Sequence, residues 1–543
     1  AAPSVRFEVS IPSSAGSEPL TGRIYVLLST QANPEPRFSI SEESAQSQQI
    51  FGSDVEKVSA GQTVAVDESA IGYPIEKMSA IPSGDYYVQA VFNKYTIYNR
   101  ADGHRVALPA DEGEGQHWAR KPGNLYSKPV KMHLQPGMGA QIKIELTDTI
   151  PAVQAPADTD FVKHIRIQSQ LLTKFWGRPM YLGAIVIIPE GWAAHPDAHY
   201  PLLVNHGHFQ ADYRFRTTPP DAGAQGAQLA RTQTAYQFYQ DWSQGKLPRM
   251  LILIIQHANP FYDDSYAVNS ANVGPYGDAI NSELIPAVEK QFHGIGQGWA
   301  RGLFGGSTGG WETLASQIFY PDNYNGAWGA CPDPVDFHAY QTVNIYDNQN
   351  AFYEIGPFGR IDRPDMRRTD GTIEATTAGA VRYELALGTH DRSTEQWNIW
   401  ESVFSPVGAD GYPKPIWDPL TGAIDHDVAN HWKDHYDLNA ILQRDWKTLA
   451  PKLDGKIHVM VGTADTYFLD NAVRLMQKTF DNSKDPHVTA DFDYGEGQPH
   501  CYTGGGVPSN VGSGTFTQRV LKAAEQRMLA TAPTGADTKS WRY

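Results

Sequence analysis

The chain of 543 residues carries 44 basic and 60 acidic side chains, a formal charge of −16, and is 41% hydrophobic and 19% charged. That balance describes a globular protein with enough apolar mass for more than one core, and it lacks the basic footprint of a nucleic-acid binder. An anionic membrane surface would repel it, and the longest apolar runs, such as Met250 to Ile255, are strand-sized rather than membrane-spanning.

The start, Ala1-Ala2-Pro3, reads as a mature N-terminus left after signal-peptide removal, with a trimmed chain as the alternative; the expected location is secreted or periplasmic. Residues 1–155 read as all-β. Short alternating runs at Val5 to Ile11, Gly22 to Leu28, Tyr86 to Phe92 and Ala140 to Leu146 are separated by Pro, Gly and Ser clusters, the spacing of a β-sandwich. The stretch Pro151 to Asp160 has linker composition and sets the expected boundary between a β-sandwich-like domain (1–155) and a second domain (156–543).

Beyond it, strands alternate with helices. His164 to Leu172 and Tyr181 to Ile188 resemble a hairpin pair, and Pro201 to Asn205 and Met250 to Gln256 are continuous apolar runs suited to strands buried on both faces. Ser282 to Phe292 has helical spacing, Trp299 to Phe304 leads into a glycine cluster, Gly310 to Phe319 reads as helix, and Asn325 to Ala330 as the next strand. Later come a strand at Lys456 to Val461, a helix at Asn471 to Phe480, a strand at Val488 to Tyr494 and a helix from about Thr515 to Leu529. This order predicts an α/β class, a doubly wound, mostly parallel sheet with helices on both faces. Residues 332 to about 436 break the rhythm. They are rich in Trp, Tyr, His and Asp, and read as a large lid-like insertion over the ligand-binding edge of the sheet.

The glycine cluster, Gly305-Gly306-Ser307-Thr308-Gly309, satisfies G-x-S-x-G with a predicted strand before it and a helix after it, the context of a nucleophile elbow presenting Ser307. A phosphate loop would need a lysine that is not here, and a glycine-rich turn with an incidental serine is the plain alternative. A serine nucleophile needs a base and a group to orient it, in the chain order Ser, acid, His. Asp465 ends a buried strand and turn, with Asp470 as the fallback, and His500 lies on the Gly/Pro-rich loop after the last strand. The oxyanion of an acyl transfer needs backbone donors. Thr308 follows the nucleophile, and His208 or Phe209 lies in Asn205-His206-Gly207-His208-Phe209 after an earlier strand. His206 reads either as a brace for that loop or as a substrate contact.

"GGSTGGW", preceded by "GPYGDAINSELIPAVEKQF" and followed by "KIHVMVGTADTYFL" and "GQPH", resembles the esterase D-like branch of α/β-hydrolases, which takes in feruloyl, acetylxylan and enterochelin esterases. The resemblance covers about 165–331 and 438–530, and enterochelin-type esterases match the β-domain at 1–155 in layout. The block 332–436 departs from it. The resemblance implies a serine esterase without cofactor, acting through an acyl-enzyme on a small-molecule or carbohydrate-linked ester such as a feruloyl or siderophore-like ester. A peptidase or acyltransferase with the same residues, or a binding protein on a hydrolase scaffold, are the alternatives.

On such a fold Cys331 and Cys501 both fall at the catalytic edge of the sheet. A bridge between them would pin the histidine loop and close a loop of about 170 residues, worth on the order of 4–5 kcal/mol, the alternative being two buried thiols. Trp311, Trp417 and Trp432 are candidate substrate contacts. Trp397 and Trp400 belong to the same aromatic set, which could equally be the insertion's own core. Asp427, His431 and His435 share a helical face that could hold a metal, but a polar lid surface is the plainer reading and no metal is assigned. The acidic, His-containing stretch Ala101 to His117 reads as loop rather than site.

Overall fold

Eight apolar runs between Val162 and Gly495 pair into one sheet. They are β1 (Val162–Ser169), β2 (Met180–Ile187), β3 (Leu202–His206), β4 (Leu251–Gln256), β5 (Arg301–Gly306), β6 (Ala327–Ala330), β7 (Ile457–Gly462) and β8 (Asp491–Gly495). Their order across the sheet is β1-β2-β4-β3-β5-β6-β7-β8. The β1/β2 and β2/β4 pairings are antiparallel and the other five are parallel. The computed structural model describes residues 5–543, the side chain of Ser513 aside, so Ala1-Ala2-Pro3 lies outside the described residues.

Helices cover both faces. In chain order they include α1 (Gly226–Ser243), α2 (Ile285–Phe292), α3 (Thr308–Phe319), α4 (Gln396–Phe404), α5 (His426–His435), α6 (Asp470–Asp481) and α7 (Ser513–Thr531). Strand β4 shows why its sequence is apolar throughout. Ile252 and Ile254 pack with Phe238 and Trp242 of α1 and Val520 and Leu521 of α7, whereas Leu251, Leu253 and Ile255 join the core that holds Trp311 and Leu314 of α3 and Val473 of α6. Period-two alternation is hidden when both faces are buried. The mixed α/β class expected from the sequence is present. Two local differences have physical causes. Strands β1 and β2 pair antiparallel, but a helix, Gln170–Trp176, joins them; Ser169 Oγ caps it and Gly177 ends it at φ 70°. Helix α1 escaped the sequence reading because only two of its side chains, Phe238 and Trp242, are buried, too few for a periodic stripe.

The N-terminal strands form separate sheets. Arg6–Ser10 lies between Thr63–Val66 and Gln141–Glu145, and a second sheet is centred on Leu20–Ser29, Gln49–Val58 and Gly84–Lys94. Phe7 and Val9 of the first share a core with Ile24, Val26, Phe51 and Phe92 of the second. The last N-terminal strand ends at Thr149 and β1 starts at Val162.

The opposite face of the larger sheet meets residues of the 332–436 block. Tyr25, Tyr73 and Trp118 pack on Tyr383, Ala386 and Leu387 of the helix Thr377–Leu387. Buried Arg23 donates from Nε to the Ala386 carbonyl at 3.0 Å and from Nη2 to the Leu385 carbonyl at 3.0 Å. The block, rhythmless in sequence, folds as two small hairpins (Tyr353–Gly356 with Gly359–Asp362, and Pro364–Arg367 with Ile373–Thr376) and the helices Thr377–Leu387, α4 and α5. Among the described residues, no helix is long and apolar enough to cross a membrane.

Candidate active site

Strand β5 runs straight into α3, and the one residue between them is Ser307, at φ 59° and ψ −121°. A non-glycine residue in that region is strained, and its neighbours hold it there. Ser307 N–H donates to the Ala330 carbonyl at 3.0 Å, so β6 fixes the turn from the side. Gly309 is required by crowding, since a Cβ there would fall 2.1 Å from the His206 carbonyl oxygen. The turn exposes Oγ at the C-terminal edge of the parallel strands, where connecting loops converge.

Two of those loops bring the other sequence-predicted residues to it. After β7 the chain turns back on itself, and Asp465, fully buried, accepts from the amides of Tyr467 at 2.9 Å and Leu469 at 3.3 Å. The loop after β8 lies against this turn, with Thr463 N–H on the Gly495 carbonyl at 2.9 Å and Ala464 N–H on the Gln498 carbonyl at 3.1 Å. Gly462 allows that approach, because a Cβ there would meet the Gln498 carbonyl oxygen at 2.0 Å. His500 Nδ1 is 2.9 Å from Asp465 Oδ2, and His500 Nε2 is 3.0 Å from Ser307 Oγ. With Nδ1 protonated toward the carboxylate, Nε2 is the acceptor that faces the hydroxyl. The Tyr467 ring meets the imidazole edge-on, centroids 5.0 Å apart. The fallback acid, Asp470, is instead 3.3 Å from Arg367 and 3.5 Å from Arg474, away from the histidine.

Cys331 and Cys501 are joined in a disulfide, with Cα atoms 5.4 Å apart. It lies under the elbow, where Cys331 Sγ is 3.2 Å from Ser307 N. As the first residue of α3, Thr308 has an N–H with no partner inside the helix. His208 is exposed. Its Nδ1 is 3.0 Å from Asp263 Oδ1 and its Nε2 is 3.3 Å from Thr308 Oγ1. Burial opposes a charge on this imidazole, but the Asp263 carboxylate outweighs it and lifts the pKa to about 9. The Phe209 ring is half-buried and lies so close to Gly115 that a Cβ on that residue would fall 2.1 Å from it, so an N-terminal loop reaches this edge.

Four side chains expected to meet substrate are buried. His206 is 3% exposed and faces Glu312 beneath the loop. Burial pushes its pKa down to about 3. Trp311 is fully buried on the underside of α3 against Tyr266 and Phe404, with centroids at 5.6 and 5.3 Å. Trp432 is fully buried and donates to Ser405 Oγ at 2.9 Å. Trp417 packs at a tilt against Tyr340 and Trp397 and edges a cavity of about 400 Å³ whose lining includes none of Ser307, His500 or Asp465. Large aromatic surfaces were taken by the insertion's core around Tyr340, whose ring lies within 5.7 Å of Trp397, Trp400, Trp417 and Trp432. The candidate set Asp427, His431 and His435 does lie on α5, but among the described residues their donor atoms are not gathered as a group.

Other residues at the site were missed. Asp333 Oδ1 is 3.5 Å from Ser307 Oγ, longer than the histidine contact. Its buried carboxyl accepts from Tyr266 OH at 2.6 Å, Thr308 Oγ1 at 3.2 Å, Trp400 Nε1 at 3.2 Å and Gln396 Nε2 at 3.4 Å. Burial raises its pKa, and the hydrogen bonds oppose the rise. Gln396 and Trp400 come from α4, so the insertion supplies part of this wall. One signal was available: Asp333 stands two residues past Cys331, already expected at that edge. Nothing in the sequence marked Gln396.

No protein-family model matches the chain, and no curated protein sequence does. Among solved structures it is similar to a ferulic acid esterase (12% identity, 67% of this chain and 98% of that one, TM-score 0.37). It is similar to an S-formylglutathione hydrolase from Agrobacterium tumefaciens (11% identity, 68% and 98%, TM-score 0.35). A fluorophosphonate-binding serine hydrolase of Staphylococcus aureus is a third (12% identity, 68% and 98%, TM-score 0.34). Their names match the branch that the sequence resembles. With TM-scores below 0.5 that likeness carries no functional weight, and the chemistry rests on the side chains of the site.

Proposed function

We propose that the chain is a serine hydrolase of the α/β-hydrolase type that cleaves carboxylic esters. Ser307 Oγ attacks the ester carbonyl as His500 Nε2 takes its proton. The tetrahedral intermediate collapses to an acyl-enzyme as the imidazolium returns the proton to the leaving alcohol. Water then repeats the sequence, activated by the same imidazole. Asp465 holds the tautomer and balances the transient positive charge. The amides of Thr308 and of His208 or Phe209 stabilise the oxyanion.

The observation that carries this reading is the run of contacts from Ser307 Oγ to His500 at 3.0 Å and from His500 to Asp465 at 2.9 Å, starting from a serine at φ 59°. Asp333 and the α4 residue Gln396 form the acyl or alcohol wall, with buried Trp400 holding Asp333 from behind, which assigns the insertion a part in substrate choice. Carbohydrate-linked acyl, feruloyl or siderophore-like esters are the substrate classes in view. The proposal includes a β-sandwich-like domain at 1–155, a catalytic domain at 156–543, and a secreted or periplasmic location, which the disulfide favours. A panel of p-nitrophenyl acetate, longer acyl esters, acetylated xylan and feruloyl esters, with fluorophosphonate labelling, tests it. Labelling and turnover that depend on Ser307 are expected; a wild-type chain inert to both overturns the reading.

A further inference from the structure

Beneath the elbow, four ionisable side chains converge where solvent does not reach. His206 ends β3, His257 directly follows β4, Asp264 lies on the loop beyond it, and Glu312 stands in the second turn of α3. The side chain of His206 is 1% exposed and those of His257, Asp264 and Glu312 are 0% exposed. His206 Nδ1 is 3.8 Å from Glu312 Oε2, and His257 Nε2 is 3.3 Å from Asp264 Oδ1 and 3.4 Å from Glu312 Oε1.

Both His206 nitrogens lack a hydrogen-bond partner, and His257 Nε2, Asp264 and Glu312 find polar partners mainly in one another. Buried polar groups with so few outside partners are rare, and here donor atoms of His206, His257 and Glu312 lie within 4.8 Å of one another. His257 Nδ1, by contrast, is 2.6 Å from Ser265 Oγ. With Nδ1–H donating to that hydroxyl, Nε2 is left free as a ligand. A tetrahedral ion with bonds of about 2.0–2.1 Å to N and O separates its ligands by about 3.3 Å, which is the spacing found around His257. Two carboxylates and a divalent cation also cancel in charge, which removes the penalty for burying two acids side by side.

We propose that His206, His257 and Glu312, with Asp264 beside His257, form a buried binding site for a first-row divalent metal of the zinc class. The site is structural, because full burial leaves no approach for substrate. It ties the ends of β3 and β4 to α3, and so fixes the Gly207-His208 loop against the helix that carries Ser307 at its start. The ligands come from separate elements, so no short sequence motif announces them, and the site is distinct from Asp427, His431 and His435.

The test uses the full chain, expressed without a histidine tag and purified without chelators. Elemental analysis is expected to find about one equivalent of zinc or another first-row divalent metal per chain. Less than about 0.1 equivalent, unchanged after dialysis against Zn²⁺, overturns the site. The metal should be lost from Glu312→Gln and His257→Ala; a folded His257→Ala chain that keeps its full equivalent overturns it as well. Should both variants fail to fold, cobalt incorporated during expression of the wild-type chain decides. Tetrahedral d–d bands with no thiolate charge transfer are expected, whereas sulfur ligation would place the ion at Cys331 and Cys501 and overturn the assignment.

Discussion

The elbow and the insertion use the same residue types to different ends. Around Ser307, the polar side chains of Asp465 and His500 are aligned toward a single atom, and glycines clear the way for backbone. In the insertion, the tryptophans and Tyr340 turn toward one another, and the indole N–H groups of Trp432 and Trp400 find buried partners in Ser405 and Asp333. One region holds a serine in strain for chemistry, and the other uses aromatic mass for packing. What connects them is narrow: Gln396 and Trp400 of α4, reaching Asp333.

If that division is right, Ser307→Ala should lower ester turnover by roughly 10⁴-fold or more while the thermal midpoint stays put. Turnover that survives, or a midpoint that falls with it, breaks the contrast at its strongest point. Trp432→Ala should do the reverse. Deleting a fully buried indole is expected to cost about 3–5 kcal/mol in denaturant unfolding with KM for p-nitrophenyl acetate unchanged. A raised KM at undiminished stability would return Trp432 to the substrate wall. Gln396→Ala probes the seam. A KM change of about threefold to tenfold for bulky esters and little for the acetate is expected from the loss of one polar contact, corresponding to about 1 kcal/mol. Equal effects on both esters would detach α4 from substrate choice.

The smallest effect concerns pH. Asp263 raises the His208 pKa to about 9, above the ordinary 6.5. The pair's contribution to stability is therefore complete below about pH 6.5 and fades as pH rises through about 9. Asp263→Asn should be less stable than wild type at pH 6, with the gap closing by pH 10, as followed by urea unfolding. A gap that widens with pH reverses the sign and removes the charged pair.

What the sequence disclosed follows the same division. The elbow was legible because its demand is local: a Cβ at Gly309 would strike the His206 carbonyl, so glycine must stand there. The strands were legible from their apolar runs. Trp311, Trp417 and Trp432 stayed ambiguous because an aromatic wall and an aromatic core share a composition, and only their neighbours in space tell them apart. Gln396 and Asp264 escaped for a related reason. Each acquires its meaning from partners on other elements, brought close by the sheet order rather than by spacing along the chain. Helix α1 was lost because its sequence lacks an apolar stripe.

The disulfide has a topological consequence. The chain from Cys331 to Cys501 is a covalent ring 170 residues around, and it contains the whole insertion, Asp465 and His500. A protease that nicks an exposed hairpin tip in that ring, for instance at the fully exposed Phe358, frees no fragment. The two pieces stay joined beside Ser307 and migrate as one band until a reductant is added. A protein working among hydrolytic enzymes could thus be cut at its most exposed tip and still carry its base tethered beside its nucleophile.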